Sequence, residues 1–231
     1  AAALTAEYGV AAVTATEAAK RADTLLLAVK PQEMNALLDE LAGVVTPETL
    51  VITIAAGITA ATIEQRLAEG TPVVRVMSNT PALVDEAMSA ISPGEHATGD
   101  HLARTEALLS PVGKVIRVPE GQLDAVTALS GSGPAYFFYL VEAMIEAGIL
   151  LGLPRAVAAD LIIQTAVGSA IMLRDSGEHP VQLREAVTSP GGTTIAAIRT
   201  LEDHGVRAAL LAALEAARDR SRELASGSSA T

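Results

Sequence analysis

Three apolar runs without polar alternation dominate the first third of the sequence and constrain its fold more than any other feature. They cover residues 24–29, 50–54 and 73–77 (TLLLAV, LVITI and VVRVM), and helical patterns over residues 32–41 and 59–67 follow the first two. Strands that are buried on both faces of a parallel sheet have this character. Their alternation with helices predicts an α/β fold built on a doubly wound sheet.

Shorter patterns predict the elements around these runs. Gly9 ends a helix that covers residues 4–8, and a short strand over residues 10–13 and a helix over residues 16–22 come next. Beyond the third run, strands over residues 88–92 and 115–118 flank a helix over residues 99–109. The sheet-forming part of the chain is therefore expected to extend to about residue 120.

From Gln122 onward the sequence predicts helices only. Pro134 suits the first turn of a helix whose N-terminal cap lies near Ser132, and Gly152 follows the end of that helix. Further helices are predicted over residues 155–175, 193–202 and 206–224. The chain is accordingly expected to comprise a sheet domain, residues 1–120, and a helical domain, residues 121–231.

The first two of these helices are apolar on most faces. Such helices are buried or lie in an interface, and two in succession in so small a domain favour an interlocked dimer. The aromatic cluster over residues 136–139 (YFFY) cannot lie on a single helix face, because successive residues are about 100° apart. We expect these rings in the core of the domain or in that interface.

The composition excludes several classes of function. The chain has no Cys, and its four His residues lack metal-binding spacing, so no metal site is expected. Its 16 Lys and Arg against 27 Asp and Glu give a net charge of −11, which argues against nucleic-acid binding. Glu142 and Glu146 lie within the most apolar run, where a bilayer would disfavour them. With no visible signal peptide, we expect a cytoplasmic protein outside the membrane.

The start of the sequence departs from the pattern of a dinucleotide-binding domain. Such a domain begins with a strand, a Gly-rich turn and a helix, whereas this sequence opens within a helical pattern and contains no GxGxxG motif. Either the sheet does not bind a dinucleotide, or the sequence lacks its opening βαβ unit. The motifs below favour the second interpretation.

Hydrogen-bonding and small residues follow each of the three apolar runs. In an open α/β sheet, ligands bind beyond the carboxyl ends of the strands. Lys30 and Pro31 follow the first run, Ala55-Ala56-Gly57 follows the second, and Ser78-Asn79-Thr80 follows the third. A solvent-exposed lysine, close helix–strand packing and an ordinary turn are the respective structural alternatives, and they remain open on these motifs alone.

Residues 187–194 (VTSPGGTT) form the most informative segment. Two hydroxyl residues, a Pro-Gly-Gly turn and two further hydroxyl residues lead into a predicted helix. Free N–H groups at a helix start bind a carboxylate well, and glycines leave room for it. An ordinary capped helix start is the alternative. A second Gly-rich segment, residues 124–136, is expected to be a structural turn.

Together these segments resemble the pyrroline-5-carboxylate reductase family. The similar blocks are AVKPQ (28–32), AAGI (55–58), VMSNTPALV (76–84), LDAVTALSGSGPAYFF (123–138), GLPR (152–155) and VTSPGGTT (187–194). The resemblance implies a Rossmann-like first domain without its first βαβ unit, and a helical domain that forms a homodimer, which assembles further into a decamer. It also implies reduction of 1-pyrroline-5-carboxylate to L-proline by NADPH or NADH, with NADPH favoured.

The resemblance also assigns residues to the two ligands. It implies cofactor contacts at Ala28, Val29, Lys30, Pro31, Ala55, Ala56 and Asn79. It implies substrate contacts at Glu120, Ser189, Gly192, Thr193 and Thr194, of which we take Thr194 and Ser189 as catalytic. In this scheme the Thr194 hydroxyl orients the imine nitrogen of the substrate.

Two other functions remain as alternatives at this point. A non-catalytic binding or regulatory protein on the same scaffold would account for the absent Gly-rich motif, although it has no need of both hydroxyl-rich segments. Another NAD(P)-dependent reductase, acting on a hydroxy acid, would usually place a lysine base in the helical domain. No Lys occurs after Lys114, which argues against that reductase.

Overall fold

The computed structural model describes residues 2–227, and the side chains of residues up to 225. The described chain divides into two compact units. The first contains the residues up to Ser132 together with those from Ala216 onward, and the second is Gly133–Glu215. The boundary between a sheet domain and a helical domain, expected near residue 120, stays a prediction.

The first unit is built on a five-stranded sheet, which confirms the α/β class. Its strands follow chain order: β1 (Thr24–Leu27), β2 (Leu50–Thr53), β3 (Val73–Met77), β4 (Ala87–Pro93) and β5 (Gly113–Arg117). Neighbouring strands are parallel except for β3 and β4, which are antiparallel. The carboxyl ends of β1, β2 and β3 therefore lie at the same edge of the sheet.

Eleven α-helices are present in the described residues. They are α1 (Ala2–Tyr8), α2 (Ala15–Arg21), α3 (Met34–Leu41), α4 (Ala60–Glu64), α5 (Gly99–Leu109), α6 (Leu123–Val126), α7 (Gly133–Leu150), α8 (Arg155–Asp175), α9 (Pro180–Ala186), α10 (Thr193–Asp203) and α11 (Val206–Gly227). Helices α3 and α4 pack on one face of the sheet and α5 on the other, so two apolar clusters form. Successive side chains of β2 point to opposite faces of the sheet, so Val51 belongs to the first cluster and Ile52 to the second.

Two expectations at the start of the sheet are wrong. Residues 10–13 form no strand, and Val10 and Val13 are exposed, because no described strand lies beside them to complete a hydrogen-bonded ladder. Residues 24–29 are not buried on both faces either. Within the described residues β1 is an edge strand, and the side chain of Leu26 is 54% exposed.

Helix α7 begins at Gly133 with Pro134 in its first turn, as predicted, but Ser132 is not an N-cap residue of the usual extended conformation. Ser132 has helical backbone angles, and it follows a π-helical turn over Thr127–Gly131 that joins α6 to α7. The amide of Ser132 donates to the carbonyl of Thr127, five residues back, at 2.8 Å. Pro134 is therefore accommodated inside a long helical segment by a change of hydrogen-bond register.

Helix α9 was not anticipated, although its start carries a readable signal. His179 caps the helix by accepting from the Val181 amide, and Pro180 occupies the first turn. The Gln182 Oε1 atom in turn accepts the His179 amide. This is a capping box with His in place of Ser or Thr. The remaining helices of the second unit occur where the sequence predicts them.

The second unit leaves an unusual amount of apolar side chain exposed. Only Gly133 of α7 and Ala158 of α8 are fully buried. Exposed large side chains on these helices include Phe137, Phe138, Tyr139, Met144, Leu150, Leu161, Ile163, Val167 and Ile171. By length and composition alone, Glu120–Leu150 and Arg155–Asp175 could each cross a membrane. Apolar faces of this extent are usually covered in a folded protein.

A partly buried ion pair ties β3 to the segment that precedes α6. The Arg75 guanidinium donates to Glu120 Oε1 at 2.7 Å, and the side chains are 12% and 33% exposed, respectively. The same oxygen accepts the amide of Ala60, at the start of α4, at 2.8 Å. Glu120 thus neutralises a nearly buried cation and satisfies one of the helix-start N–H groups.

We expect Glu120→Ala to lower the free energy of unfolding by about 2 kcal/mol, because it leaves Arg75 and the Ala60 amide without their acceptor. Urea denaturation followed by circular dichroism, at a fixed protein concentration, measures this. The control is Asp39→Ala, which removes an exposed ion pair with Arg66 and should cost less than about 0.5 kcal/mol. Equal losses in the two variants would contradict the structural role of Glu120.

Candidate cofactor and substrate sites

The parallel strands of the first unit bring three of the predicted motifs to one edge of the sheet. Leu27 of β1 is in register with Thr53 of β2, and Thr53 with Arg75 of β3. The segments that follow these strands therefore emerge side by side. They carry all seven residues predicted for the cofactor: Ala28, Val29, Lys30, Pro31, Ala55, Ala56 and Asn79.

The segment after β1 presents a cation at this edge. The Lys30 side chain is exposed, and its backbone carbonyl accepts the Glu33 amide at 2.9 Å. Pro31 begins the short 3-10 turn that leads into α3 and restricts its backbone. The lysine is thus held on a stiff turn, from which an exposed ammonium group can meet an anionic ligand.

The loop after β2 turns sharply with small side chains. The Ala55 amide donates to the Thr53 hydroxyl at 3.2 Å, and Gly57 adopts a φ of +75°, which favours glycine. Ala56 is exposed, and Thr59 caps the start of α4 by accepting from the Thr62 amide. The exposed methyl of Ala56 leaves the backbone open to a flat ligand.

Asn79, at the end of β3, makes hydrogen bonds within the first unit. Its Nδ2 donates to the carbonyl and the hydroxyl of Ser130, at 3.3 and 3.2 Å, and its Oδ1 accepts the Met88 amide at 3.0 Å. Pro134, four residues after Ser130, has no N–H with which to serve that carbonyl. Asn79 therefore supports the π-helical turn. Sequence reasoning missed Ser130 because 51 residues separate the two partners.

The predicted substrate residues of the second unit lie in the turn between α9 and α10. The Gly192 amide donates to the Ser189 carbonyl at 3.1 Å, so Pro190 and Gly191 occupy the central positions of the turn. Gly191 has a φ of +69°, as a type II turn requires. At Gly192 a Cβ atom would collide with the Ser189 hydroxyl, so a side chain there would displace that group.

The start of α10 offers donors without a side-chain cap. Gly192 is the N-cap residue, and the first helical bond runs from the Ala196 amide to the Gly192 carbonyl. The amides of Thr193 and Thr194 precede that bond, and the positive end of the helix dipole adds to their attraction for an anion. Ser189 and Thr193 are exposed, and Thr194 is half-buried. This arrangement can bind a carboxylate with hydroxyl groups close by.

The other end of α10 is fixed by an ion pair to α11. Arg207 donates to Glu202 at 2.6 Å across the turn between the helices. The guanidinium hydrogen bond lowers the pKa of the Glu202 carboxyl and raises the pKa of Arg207. The pair stays charged at neutral pH and holds the helix that carries the substrate turn.

Glu120 lies apart from the α9–α10 turn in the chain, and the structure gives it the two structural partners described above. Its assignment to the substrate stays a prediction, as do the other residue roles implied by the resemblance. Among the described residues no group of three or more His, Asp or Glu could hold a metal ion. The donors present suit organic anions: a sheet edge with a lysine, and an uncapped helix start.

Family models match both parts of the chain. One described as pyrroline-5-carboxylate reductase dimerisation matches residues 120–224. Another, described as NADP oxidoreductase, coenzyme F420-dependent, matches residues 1–57. The first match contains the α9–α10 turn, and the second contains the segments after β1 and β2.

Curated relatives and solved structures agree with these matches. The chain is 45% identical to a pyrroline-5-carboxylate reductase of Corynebacterium melassecola, over 94% of this chain and 82% of the relative. One from Methanosarcina acetivorans is 48% identical, with coverage of 89% and 76%. The structure of the Coxiella burnetii pyrroline-5-carboxylate reductase aligns with a TM-score of 0.90 and 38% identity, covering 96% of this chain and 84% of that one.

A structure from Plasmodium falciparum extends the comparison to a cofactor complex. This pyrroline carboxylate reductase with NADP bound aligns with a TM-score of 0.86 and 28% identity, covering 93% of this chain and 81% of that one. Sequence identity above 40% to curated relatives, over most of both chains, goes beyond a shared fold. The chain belongs to the pyrroline-5-carboxylate reductase family.

Proposed function

We propose that the turn between α9 and α10 binds 1-pyrroline-5-carboxylate for reduction to L-proline. The chain is an NAD(P)H-dependent oxidoreductase of that family, and this reduction is the last step of proline biosynthesis. The observation that carries the proposal is the uncapped start of α10 beside the Ser189, Thr193 and Thr194 hydroxyls. A ring with one carboxylate and one imine nitrogen presents the two groups that such donors recognise.

The carboxyl edge of the sheet is the proposed cofactor site. When bound there, the nicotinamide supplies the hydride that reduces the ring C=N bond. Lys30 offers a charge for a phosphate or a hydrogen bond for a ribose, and Pro31 holds its turn. Ala28 and Ala56 are exposed and Val29 is half-buried, whereas the Ala55 side chain is buried in the first apolar cluster, so Ala55 is proposed to contribute through its backbone. Asn79 is the remaining residue proposed to contact the cofactor. NADPH is favoured over NADH by the family description and the relative that name NADP.

The substrate carboxylate is proposed to bind at the start of α10. The amides of Thr193 and Thr194 and the hydroxyl of Ser189 are the donors, and Gly192 provides the space. The Gly192 amide itself is committed to the Ser189 carbonyl, so it shapes the turn. Binding by fixed donors holds the ring in one orientation, and much of the rate enhancement comes from such positioning.

Thr194 is proposed to act at the imine nitrogen. A C=N carbon accepts hydride readily only when its nitrogen is protonated or strongly hydrogen-bonded. A hydroxyl group both donates and accepts, so it can bond either form of that nitrogen. Ser189 then acts on the carboxylate side. Glu120 is proposed as a third group that contacts the substrate, while its carboxylate also accepts a hydrogen bond from Arg75.

A second copy of the chain is the proposed cover for α7 and α8. The family model over these helices is described by dimerisation, and side chains such as Phe138 and Ile163 are more than half exposed. Glu142 and Glu146 would be costly in lipid but tolerable at an interface edge. We therefore propose a cytoplasmic homodimer that forms through the helical domain and assembles further into a decamer, without membrane or nucleic-acid partners.

We expect Thr194→Ala to lower kcat/KM for 1-pyrroline-5-carboxylate by roughly 10²-fold, because it removes the hydroxyl from the imine nitrogen. Steady-state NADPH oxidation measures this. Thr194→Ser is the matched control, since it keeps the hydroxyl and should keep most of the activity. Unchanged kinetics in Thr194→Ala would contradict the assigned role.

We expect Ile163→Glu to lower the native mass at least twofold, because an unpaired carboxylate in the apolar interface proposed for α8 is strongly disfavoured. Light scattering after gel filtration measures the mass, against at least twice the 23.6 kDa of one chain for the unmodified protein. Leu108→Glu, on the exposed face of α5 in the first unit, is the control and should not change the mass. A monomeric unmodified protein would overturn the proposal.

A further inference from the structure

We infer that the end of α11 and the segment from Glu120 to Asp124 form a clamp that positions the loop after β2, residues 54–59, for the cofactor. The inference rests on the proposed function, because this loop carries Ala55 and Ala56. All parts of the clamp belong to the first unit. No residue of the clamp other than Glu120 is among those predicted to bind a ligand.

A nearly buried hydrogen bond anchors α11 to α6. The Ser221 hydroxyl donates to Asp124 Oδ1 at 2.7 Å, and Ser221 is only 7% exposed. Arg222 approaches the second carboxylate oxygen at 3.9 Å. A hydroxyl bonded to a carboxylate away from water makes a short, charge-assisted bond. These two interactions attach the end of α11 to α6.

One helical turn beyond this anchor, α11 lies against the loop after β2. Residues four apart share a helix face, so Ala225 is on the side of Ser221. A Cβ atom at Gly57 would be 3.5 Å from the Ala225 amide nitrogen and 3.6 Å from the Leu224 carbonyl carbon. The backbone of α11 therefore lies beside Gly57, at the distance where an added methyl group would just touch it. Gly57 itself has a φ of +75°, which favours glycine.

The far side of the same loop is held by Glu120. Its Oε1 accepts the amide of Ala60, where the loop enters α4. Asp124 stands four residues after Glu120, so the short segment between them anchors both contacts. The backbone of α11 limits the movement of Gly57 on one side, and Glu120 holds the Ala60 amide directly. The loop is therefore restrained at two points, three residues apart.

We expect this restraint to strengthen cofactor binding, because Ala55 and Ala56, which are proposed to contact the cofactor, directly precede Gly57 in the chain. A loop that contacts a ligand through its backbone and methyl groups loses those contacts when it shifts, and an untethered loop must be ordered when the ligand binds. Ser221 and Asp124 are accordingly positioning residues. In this inference they act on the cofactor through the loop that contains Gly57.

The test compares Ser221→Ala with Arg220→Ala. The first variant removes the buried hydrogen bond to Asp124. The second changes the residue next to Ser221 on the same helix and removes only an exposed ion pair with Glu223. We expect Ser221→Ala to raise KM for NADPH about three- to tenfold, the usual effect of one lost hydrogen bond. Its kcat and its KM for 1-pyrroline-5-carboxylate should stay unchanged, and Arg220→Ala should match the unmodified enzyme. Asp124→Asn keeps an acceptor oxygen and should preserve most of the NADPH affinity.

Two further measurements keep the inference separate from folding and from the proposed function. Hydrogen exchange should be faster over residues 54–60 in Ser221→Ala, with the melting temperature nearly unchanged. Titration of NADPH fluorescence reports cofactor binding even if the substrate is wrong, so absence of turnover in the unmodified protein would overturn the proposed function alone. An unchanged NADPH affinity in Ser221→Ala would overturn the clamp. So would a general defect, in which kcat and the melting temperature fall and both KM values rise together.

Discussion

Parallel pairing of β1, β2 and β3 is the constraint on which the rest of the first unit depends. Because the three strands run in the same direction, the segments after Leu27, Thr53 and Met77 reach one edge of the sheet. Helices must then return across both faces, and they bury β2 completely. The polar and small residues cannot be placed within buried strands, so they collect at the edge, where a cofactor can reach them.

The sequence predicts this arrangement where local pattern and tertiary environment agree. Residues 73–77 and 99–109 are predicted to the residue, because the first run is apolar apart from Arg75 and the second is an amphipathic helix preceded by Thr98. Residues 10–13 fail, since strand-like composition forms no strand without a neighbour to pair with. The π-helical turn before Ser132 could not be predicted from local sequence for a related reason. Asn79, which supports the turn through Ser130, lies 51 residues away in the chain.

The candidate sites divide in the same way. The glycine and hydroxyl residues of the turn after α9 are local features, so the start of α10 could be predicted as an anion site. Other features join segments that are distant in sequence. Glu120 accepts hydrogen bonds from both Arg75 and Ala60, and the backbone of α11 lies beside Gly57. Only the folded chain brings them together. The apolar excess of α7 and α8 was visible in the sequence, whereas its exposure in the isolated chain became apparent only in the structure.

The most direct test of the reductase account is the fate of the transferred hydrogen. The purified protein is incubated with 1-pyrroline-5-carboxylate and NADPH that carries deuterium at nicotinamide C4 on the transferred face, and the product is examined by mass spectrometry and NMR. The account predicts L-proline with a single deuterium on the former imine carbon. Proline without deuterium, or no proline while the substrate and cofactor remain intact, would contradict it.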